Sequence, residues 1–411
     1  MNESKTTPQW LIDTQNKSWE PEILISGIML TFLFILSKYV YNLHAMLIQD
    51  YGVFEKMVSI LFTANTVILT GFKIILIIHL VLRGIWTGYV GLSYVFPDGV
   101  KRENLPKSRK DIIYPGPETL VIKTEKVCSL LFSFIFLSMA FVLAFFILYT
   151  PIILLFILDL DPSLLRYIFM VFIAVVIVAV SILTILIEKS PRFSEWKQKS
   201  ETAFISHALT IYYTNIGRIK TTVMFLIYFM IVISLSRPEI DRFNFNNREG
   251  TDIIREAGIV LINQDLYVDQ RDMELRIPKA TIQRFYVSDN KLGLFVSFYK
   301  EDSYTLKQLE IRRELMKKLE IKADTTGIPL YRIYSISVGD SILPELKWYS
   351  TKNSQTGQKG ITTAIEIGSL DIGYHELKID KLYWEITGDS LVHIDKWIVI
   401  PFEKNDITNR K

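Results

Sequence analysis

Five residues in one apolar stretch are spaced to act together. Ser59, Thr63, Thr66, Thr70 and Lys73 follow one another at intervals of 4, 3, 4 and 3 residues, which puts them on one face of a helix. A hydroxyl there can return a hydrogen bond to the preceding turn, but an ammonium cannot be hidden that way. A charge in hydrocarbon costs roughly 2.5–3.5 kcal/mol on insertion scales, so Lys73 is expected to face other helices or water. Its chemistry would be electrostatic, since an ammonium near the midplane favours an anion or a lipid headgroup. Thr63, Thr66, Thr70 and Lys73 are therefore the candidate binding face. The structural alternative is a snorkelling lysine, but Arg83 at the expected cytoplasmic edge lies ten residues on, about 15 Å along a helix.

Arg83 opens a second distinctive run, GIWTGYVGLSYVFPDGV. Gly84, Gly88 and Gly91 make a small-residue face of the kind that lets helices approach closely. Trp86, Tyr89, Tyr94 and Phe96 supply aromatics suited to a membrane interface. Arg83, Gly84, Trp86, Gly88 and Gly91 are accordingly read as an interface strip. A helix kept up from 57 to 96 would be about 60 Å long, twice a bilayer, so it either protrudes or bends at Arg83–Gly84 and lies flat. The basic loop KRENLPKSRK (101–110) would then sit near anionic lipids, worth about 1 kcal/mol per charge close to the surface. A solvated loop is the alternative.

No other pattern points to catalysis, a metal or a cofactor. His44, His79, His207, His375 and His393 show no i, i+3 or i, i+4 pairing and no HExxH. There is no P-loop and no dinucleotide-binding glycine motif. Cys128, the lone cysteine, lies in an apolar run and reads as a core thiol. The letters Gly388-Asp389-Ser390-Leu391 resemble the nucleophile signature of GDSL esterases, a family in which the serine follows the first strand of an α/β domain. Here Ser390 lies near the C-terminal end, between two strand-like runs, and no Asp-x-x-His follows it. A hairpin turn is the better reading. Gly339–Trp348 (GDSILPELKW) and Gly388–Trp397 (GDSLVHIDKW) share Gly, Asp, Ser, Lys and Trp plus an Ile/Leu exchange, so each is expected to be such a turn.

The elements that must position these residues follow from composition. Half of the 411 residues are hydrophobic and the net charge is +3, which points to a membrane protein with a soluble part and gives no footing to nucleic acid. Five segments are long and apolar enough to cross a bilayer: 22–43, 57–82, 127–150, 164–187 and 221–236. Pro151 is read as a kink or stop, with 152–160 at the surface or re-entering. The stretch 203–216 is amphipathic and suits the interface or a lead into the fifth span. The first 21 residues lack the shape of a cleavable signal and read as a tail before a signal anchor.

Orientation comes from counting cations. Eight Lys and Arg fall between spans two and three, six between spans four and five, and none in 44–55 or 151–163. That places the N-terminus in the cytoplasm and everything after span five outside, across the plasma (inner) membrane. From 237 to 411 charged residues return and period-2 patterns appear. Residues 292–299, 330–338, 361–367, 374–379 and 392–402 read as strands, and 305–321 as a helix with Leu309, Met316 and Leu319 near one face. The segment 237–249 reads as a linker or opening strand.

The expected architecture is therefore a five-span α-helical membrane domain (22–236) and an outward, β-rich, sandwich-like domain (237–411). The functional expectation is a recognition or scaffolding module for an envelope partner or ligand. Membrane lipids and a membrane or envelope protein are the expected partners, with no cofactor, metal or catalytic residue assigned. The alternative is a small transporter or channel using the polar face of the second span. A membrane-embedded lipid enzyme would have only Lys73, Arg83 and His79 to work with.

Overall fold

The computed structural model describes residues 19–157, 167, 171, 178, 204–247, 255–256, 259–260, 262–277, 279–321, 328–339, 341–343, 346–385 and 389–405. The described residues fall into two compact units. One holds 19–37, 66–151, 178 and 204–236, and the other holds 38–65, 152–157, 167, 171 and the described residues from 237 onward.

The helical elements are α1 (Trp19–Gln49), α2 (Glu55–Val95), α3 (Pro117–Ile157), α4 (Phe204–Ile216) and α5 (Arg218–Asn247). Among the described residues three helices are long and apolar enough to cross a membrane: Trp19–Gln49, Glu55–Val95 and Arg218–Asn244. The expected spans 22–43, 57–82 and 221–236 lie within these three. The segment 127–150 lies inside α3, and 164–187 falls outside the described residues apart from three isolated positions. Large apolar side chains of α1 and α5, among them Leu24, Ile28, Phe32, Leu226 and Met230, are more than half exposed. A face of that kind suits lipid rather than water.

At two boundaries the structure chooses between the alternatives, and at a third it overturns the expectation. Pro151 does not stop its helix, since α3 continues to Ile157. The helix from Glu55 runs unbroken through Arg83 and Gly84 to Val95, a length of about 60 Å. Residues 237–247 are helical, carrying α5 past Pro238 rather than forming a linker or strand. Tertiary contacts explain this last case. Phe243 is fully buried and stacks on Phe62 with ring centroids 4.0 Å apart, while Arg242 Nε donates to Asp265 Oδ2 at 2.7 Å.

The β-rich unit holds two sheets and a separate two-stranded ladder. The strands are β1 (Arg255–Glu256), β2 (Ile259–Val260), β3 (Ala280–Ile282), β4 (Tyr286–Val287), β5 (Lys291–Ser297), β6 (Tyr334–Val338), β7 (Ser341–Ile342), β8 (Tyr349–Lys352), β9 (Lys359–Glu366), β10 (Gly373–Glu385) and β11 (Ser390–Lys404). One sheet runs β4-β11-β10-β6-β7 and the other β3-β5-β9-β8. All ladders are antiparallel except β4–β11. Alternation decides what is buried: Leu292, Leu294 and Val296 of β5, Leu377 and Ile379 of β10, and Ile398, Ile400 and Phe402 of β11 join one hydrophobic cluster.

Residues 38–65 belong to this unit because the ends of α1 and α2 join its core. Tyr41, Leu47, Ile48, Val58 and Phe62 are buried in the same cluster. Polar groups along α1 bind the strap 272–277. Asn42 Nδ2 donates to the Glu274 carbonyl at 2.7 Å, Gln49 Nε2 to the Ile277 carbonyl at 2.8 Å, and Arg276 pairs with Asp50 at 2.8 Å. A backbone strap with no sheet partner must find its hydrogen bonds elsewhere, and α1 provides them.

The expected helix over 305–321 is two helices, α6 (Lys300–Ile311) and α7 (Arg313–Lys318). The break is at Arg312, whose guanidinium bonds both Asp389 carboxylate oxygens at 2.9 and 3.0 Å and lies over the Trp384 ring. Leu309 is buried and Met316 packs on the core, but Leu319 is exposed. The run 330–338 is strand only from Tyr334, with a 3-10 turn over Leu330–Ile333.

Candidate functional site

Within the helical unit Thr66 is buried, and Thr70 and Lys73 are half-buried. The Lys73 ammonium points at α1, donating to Ser37 Oγ at 2.5 Å and lying 5.2 Å from the centroid of the Phe34 ring. Part of its charge is thus met by a hydroxyl and a ring face. Thr63 is half-buried and belongs to the β-rich unit, so the periodic face divides between the two units.

The interface strip also divides. Gly84, Gly88 and Gly91 are exposed, and a Cβ added at any of them would meet nothing within 4 Å. Arg83, four residues after His79, is buried instead. It donates to Glu22 of α1, and through Nη1 to Glu125 Oε2 of α3 at 2.8 Å. His79 Nε2 lies 3.6 Å from Glu22 Oε2, and its Nδ1 shares a 3.0 Å hydrogen bond with Ser26 Oγ. The Arg83 guanidinium lies over Trp86, which packs on Trp19 with centroids 5.6 Å apart. Two carboxylates, one guanidinium and one imidazole thus tie three helices together. The cluster acts as an interhelical staple, with Arg83 Nε and His79 Nε2 left without a hydrogen-bond partner among the described residues.

The same unit has a half-open cavity of about 730 Å³, within the usual size of ligand pockets, about 300–1,000 Å³. Ile74, Ile75 and Ile78 of α2, Leu130 and Phe134 of α3, and Phe225, Ile227 and Ile231 of α5 make its walls apolar. Gly71 lets α5 come close here, since a Cβ on it would lie 2.9 Å from the Tyr228 hydroxyl. Thr210, Tyr212, Tyr213, Thr221 and Thr222 also line it. Thr221 is more than nine-tenths buried, and its hydroxyl has no hydrogen-bond partner among the described residues.

The β-rich unit buries a charge of its own. Lys381 Nζ sits 2.6 Å from Asp302 Oδ1 and faces the rings of Tyr299 and Trp397 at 4.7 and 4.8 Å. Asp302 also accepts from the Tyr334 hydroxyl at 2.8 Å and from the Tyr299 backbone N–H at 3.2 Å. Burial raises the phenol pKa of Tyr299 and of Tyr334, and the neighbouring Asp302 charge pushes both further up. This is an aromatic cage filled by the protein's own lysine.

The Gly-Asp-Ser motifs are turns. Gly339 has φ +61° in the β6–β7 hairpin, and Asp389 has φ +43° in the β10–β11 hairpin. Asp380, His393 and Asp395 bring their ligand atoms within 4.8 Å of one another. The group is largely exposed and already engaged, with His393 2.7 Å from Asp395 and the Lys396 N–H donating to Asp380 at 2.7 Å. Comparisons of the chain with protein-family models, with curated proteins and with solved structures find no match.

Sequence reasoning missed Glu22 and Glu125, which stand at the edges of the expected spans 22–43 and 127–150. The one available signal was His79 and Arg83 four residues apart on a span, matched by Glu22 and Ser26 four apart on another.

Proposed function

We propose that the chain is a five-span protein of the plasma membrane, with its N-terminus in the cytoplasm and its sandwich-like β-rich domain outside. In this reading the domain is a recognition or scaffolding module for a membrane or envelope protein. The observation that carries it is strand β8. It is the terminal strand of its sheet, and all four of its residues are exposed. Such an edge offers unpaired backbone groups to another strand. Exposed Lys347, Lys352 and Lys359 surround it, and no Asp or Glu occurs from Leu346 to Ile365. The matching partner is an extended acidic segment that adds to β8 as a further strand.

The transporter reading has less support. Lys73 is engaged by Ser37 and Phe34, and the described cavity of the helical unit has apolar walls.

Two measurements test the proposal on the full-length protein. A cysteine at exposed Ser354, in a Cys128→Ser background, should react with a membrane-impermeant thiol reagent on intact cells; reaction only after lysis overturns the outward placement. A fluorescent acidic peptide of strand-forming sequence should bind the purified protein with an affinity that falls as salt rises. Replacing Lys347, Lys352 and Lys359 with Glu should abolish that binding. Equal binding by the charge-reversed variant refutes recognition at this edge.

A further inference from the structure

One pocket of the β-rich unit touches the free edges of both sheets. The hairpin at Gly339 makes β7 the terminal strand of one sheet, and the next strand in the chain, β8, is terminal in the other. Where the two edges meet lies a half-open pocket of about 210 Å³. Ile342 of β7 and Trp348, the residue before β8, line it together with Tyr331 and Arg332 of the 3-10 turn and Ser335 of β6. Unlike the cavity of the helical unit, it mixes ring and aliphatic surface with a guanidinium and a hydroxyl.

Size, walls and place together say what this pocket takes. Ligand pockets usually hold about 300–1,000 Å³, so this smaller one suits a single side chain. The rings of Tyr331 and Trp348 stand 8° from parallel with centroids 6.4 Å apart, and the Arg332 guanidinium rests over Tyr331 at 5.2 Å. Both rings are half-buried, so neighbours hold them before anything binds, and they offer flat π surface on which an incoming ring can stack. Trp348 directly precedes Tyr349, the first residue of β8, and Ile342 at the pocket is 75% exposed. A segment added to β8 therefore passes the mouth of the pocket at one end. In strand addition, backbone hydrogen bonds supply affinity and side-chain pockets supply specificity.

We propose that the strand added to β8 carries one aromatic residue, tyrosine or phenylalanine, whose ring enters this pocket against Tyr331 and Trp348. This anchor rests on the strand addition proposed above and gives it a sequence requirement. Lys352 ends β8 four residues after Trp348, about 13 Å along an extended chain. The partner segment thus places its aromatic residue about four residues from an acidic one that meets Lys352.

The test uses the purified full-length protein and fluorescent acidic strand-forming peptides, identical except for one tyrosine moved through each position in turn, with alanine there in the reference peptide. Tyrosine at one position near an end should bind about tenfold more tightly than the reference, about 1.4 kcal/mol for one buried anchor. Phenylalanine at that position should act alike, and leucine should not. Benzoylphenylalanine there should cross-link on illumination to Tyr331, Ile342 or Trp348, as mapped by mass spectrometry. Trp348→Leu, which keeps an apolar side chain and removes the flat ring, should bring the tyrosine-to-alanine affinity ratio close to one. Should that variant fail to fold, the peptide scan and the cross-links on the wild-type protein decide. A flat scan, a leucine peptide as tight as the tyrosine one, or cross-links away from the pocket overturn the anchor and leave strand addition standing. No binding by any peptide, or equal binding by the protein with Lys347, Lys352 and Lys359 replaced by Glu, overturns both.

Discussion

Replacing Asp302 with Ala should cripple the β-rich unit without touching its surface. Asp302 is fully buried and Lys381 nearly so, with 2.6 Å between their charges. Removing the carboxylate strands an ammonium among Tyr299, Tyr334 and Trp397 with ring faces as its remaining neighbours. Breaking one side of such a pair costs about 3–5 kcal/mol, because the survivor keeps its desolvation penalty. Two further losses fall in the same place. The Tyr334 hydroxyl loses its acceptor, and the first turn of α6 loses the side chain that receives the Tyr299 N–H. Against a domain stability of roughly 5–15 kcal/mol this is a third or more of the total. Pulse proteolysis of the full-length protein across a urea series measures it, since cleavage of the β-rich region follows the unfolded population. The second variant makes the test sharp. Lys381→Met in the Asp302→Ala background replaces the stranded charge with an apolar chain of similar reach, and it should recover at least half of the loss. An Asp302→Ala protein within about 1 kcal/mol of wild type would refute the reasoning, and so would a double variant no better than the single one.

Two further outcomes follow from packing and titration. Gly360→Ala should destabilise the same unit by about 1–3 kcal/mol, because a Cβ there would sit in the Phe295 ring and 2.5 Å from the Val296 carbonyl oxygen; wild-type resistance in the same proteolysis series would count against it. Burial holds the phenols of Tyr267, Tyr299 and Tyr334 above the ordinary tyrosine range. A raised folded-state pKa stabilises fully below the unfolded value near 10, and that contribution is lost as pH rises through the folded value. Alkaline titration followed by tyrosinate absorbance should therefore show these three ionising only together with loss of β-sheet circular dichroism, and free titration of all 20 tyrosines before unfolding would contradict it.

Much of the β-rich unit can be read from its alternation. Residues 361–366, 374–379 and 392–402 fall in β9, β10 and β11, with Ile367 just past the end of β9, and Gly339 and Asp389 lie in hairpins. What alternation does not carry is the identity of the covering partner. Nothing in the pattern of Tyr41, Leu47 and Ile48 separates a lipid-facing helix end from one packed into a β-sheet core, because both want apolar side chains. The same ambiguity hides residues 237–247. A proline and a polar run suggest a linker, yet Phe243 and Arg242 find partners 181 and 23 residues away, Phe62 and Asp265. Pairing at such separations overrides local propensity.

The polar residues of the helices fail to be legible for a related reason, and the reason bears on function. A periodic face of Ser59, Thr63, Thr66, Thr70 and Lys73 can equally line an aqueous path or zip two helices together. Which one it does depends on what lies opposite. Opposite Lys73 stand Ser37 and Phe34, and opposite Arg83 stand Glu22 and Glu125. Each cation is met by groups on a neighbouring helix, at distances that leave no room for an intervening water layer. An ion passing along this face would have to displace those partners and meet the desolvation penalties they now offset. The cavity of the helical unit lies elsewhere, between α2, α3 and α5, and its walls are apolar. The charges of these helices are thus engaged in holding neighbouring helices together, which supports the membrane-anchored binder proposed above over a carrier.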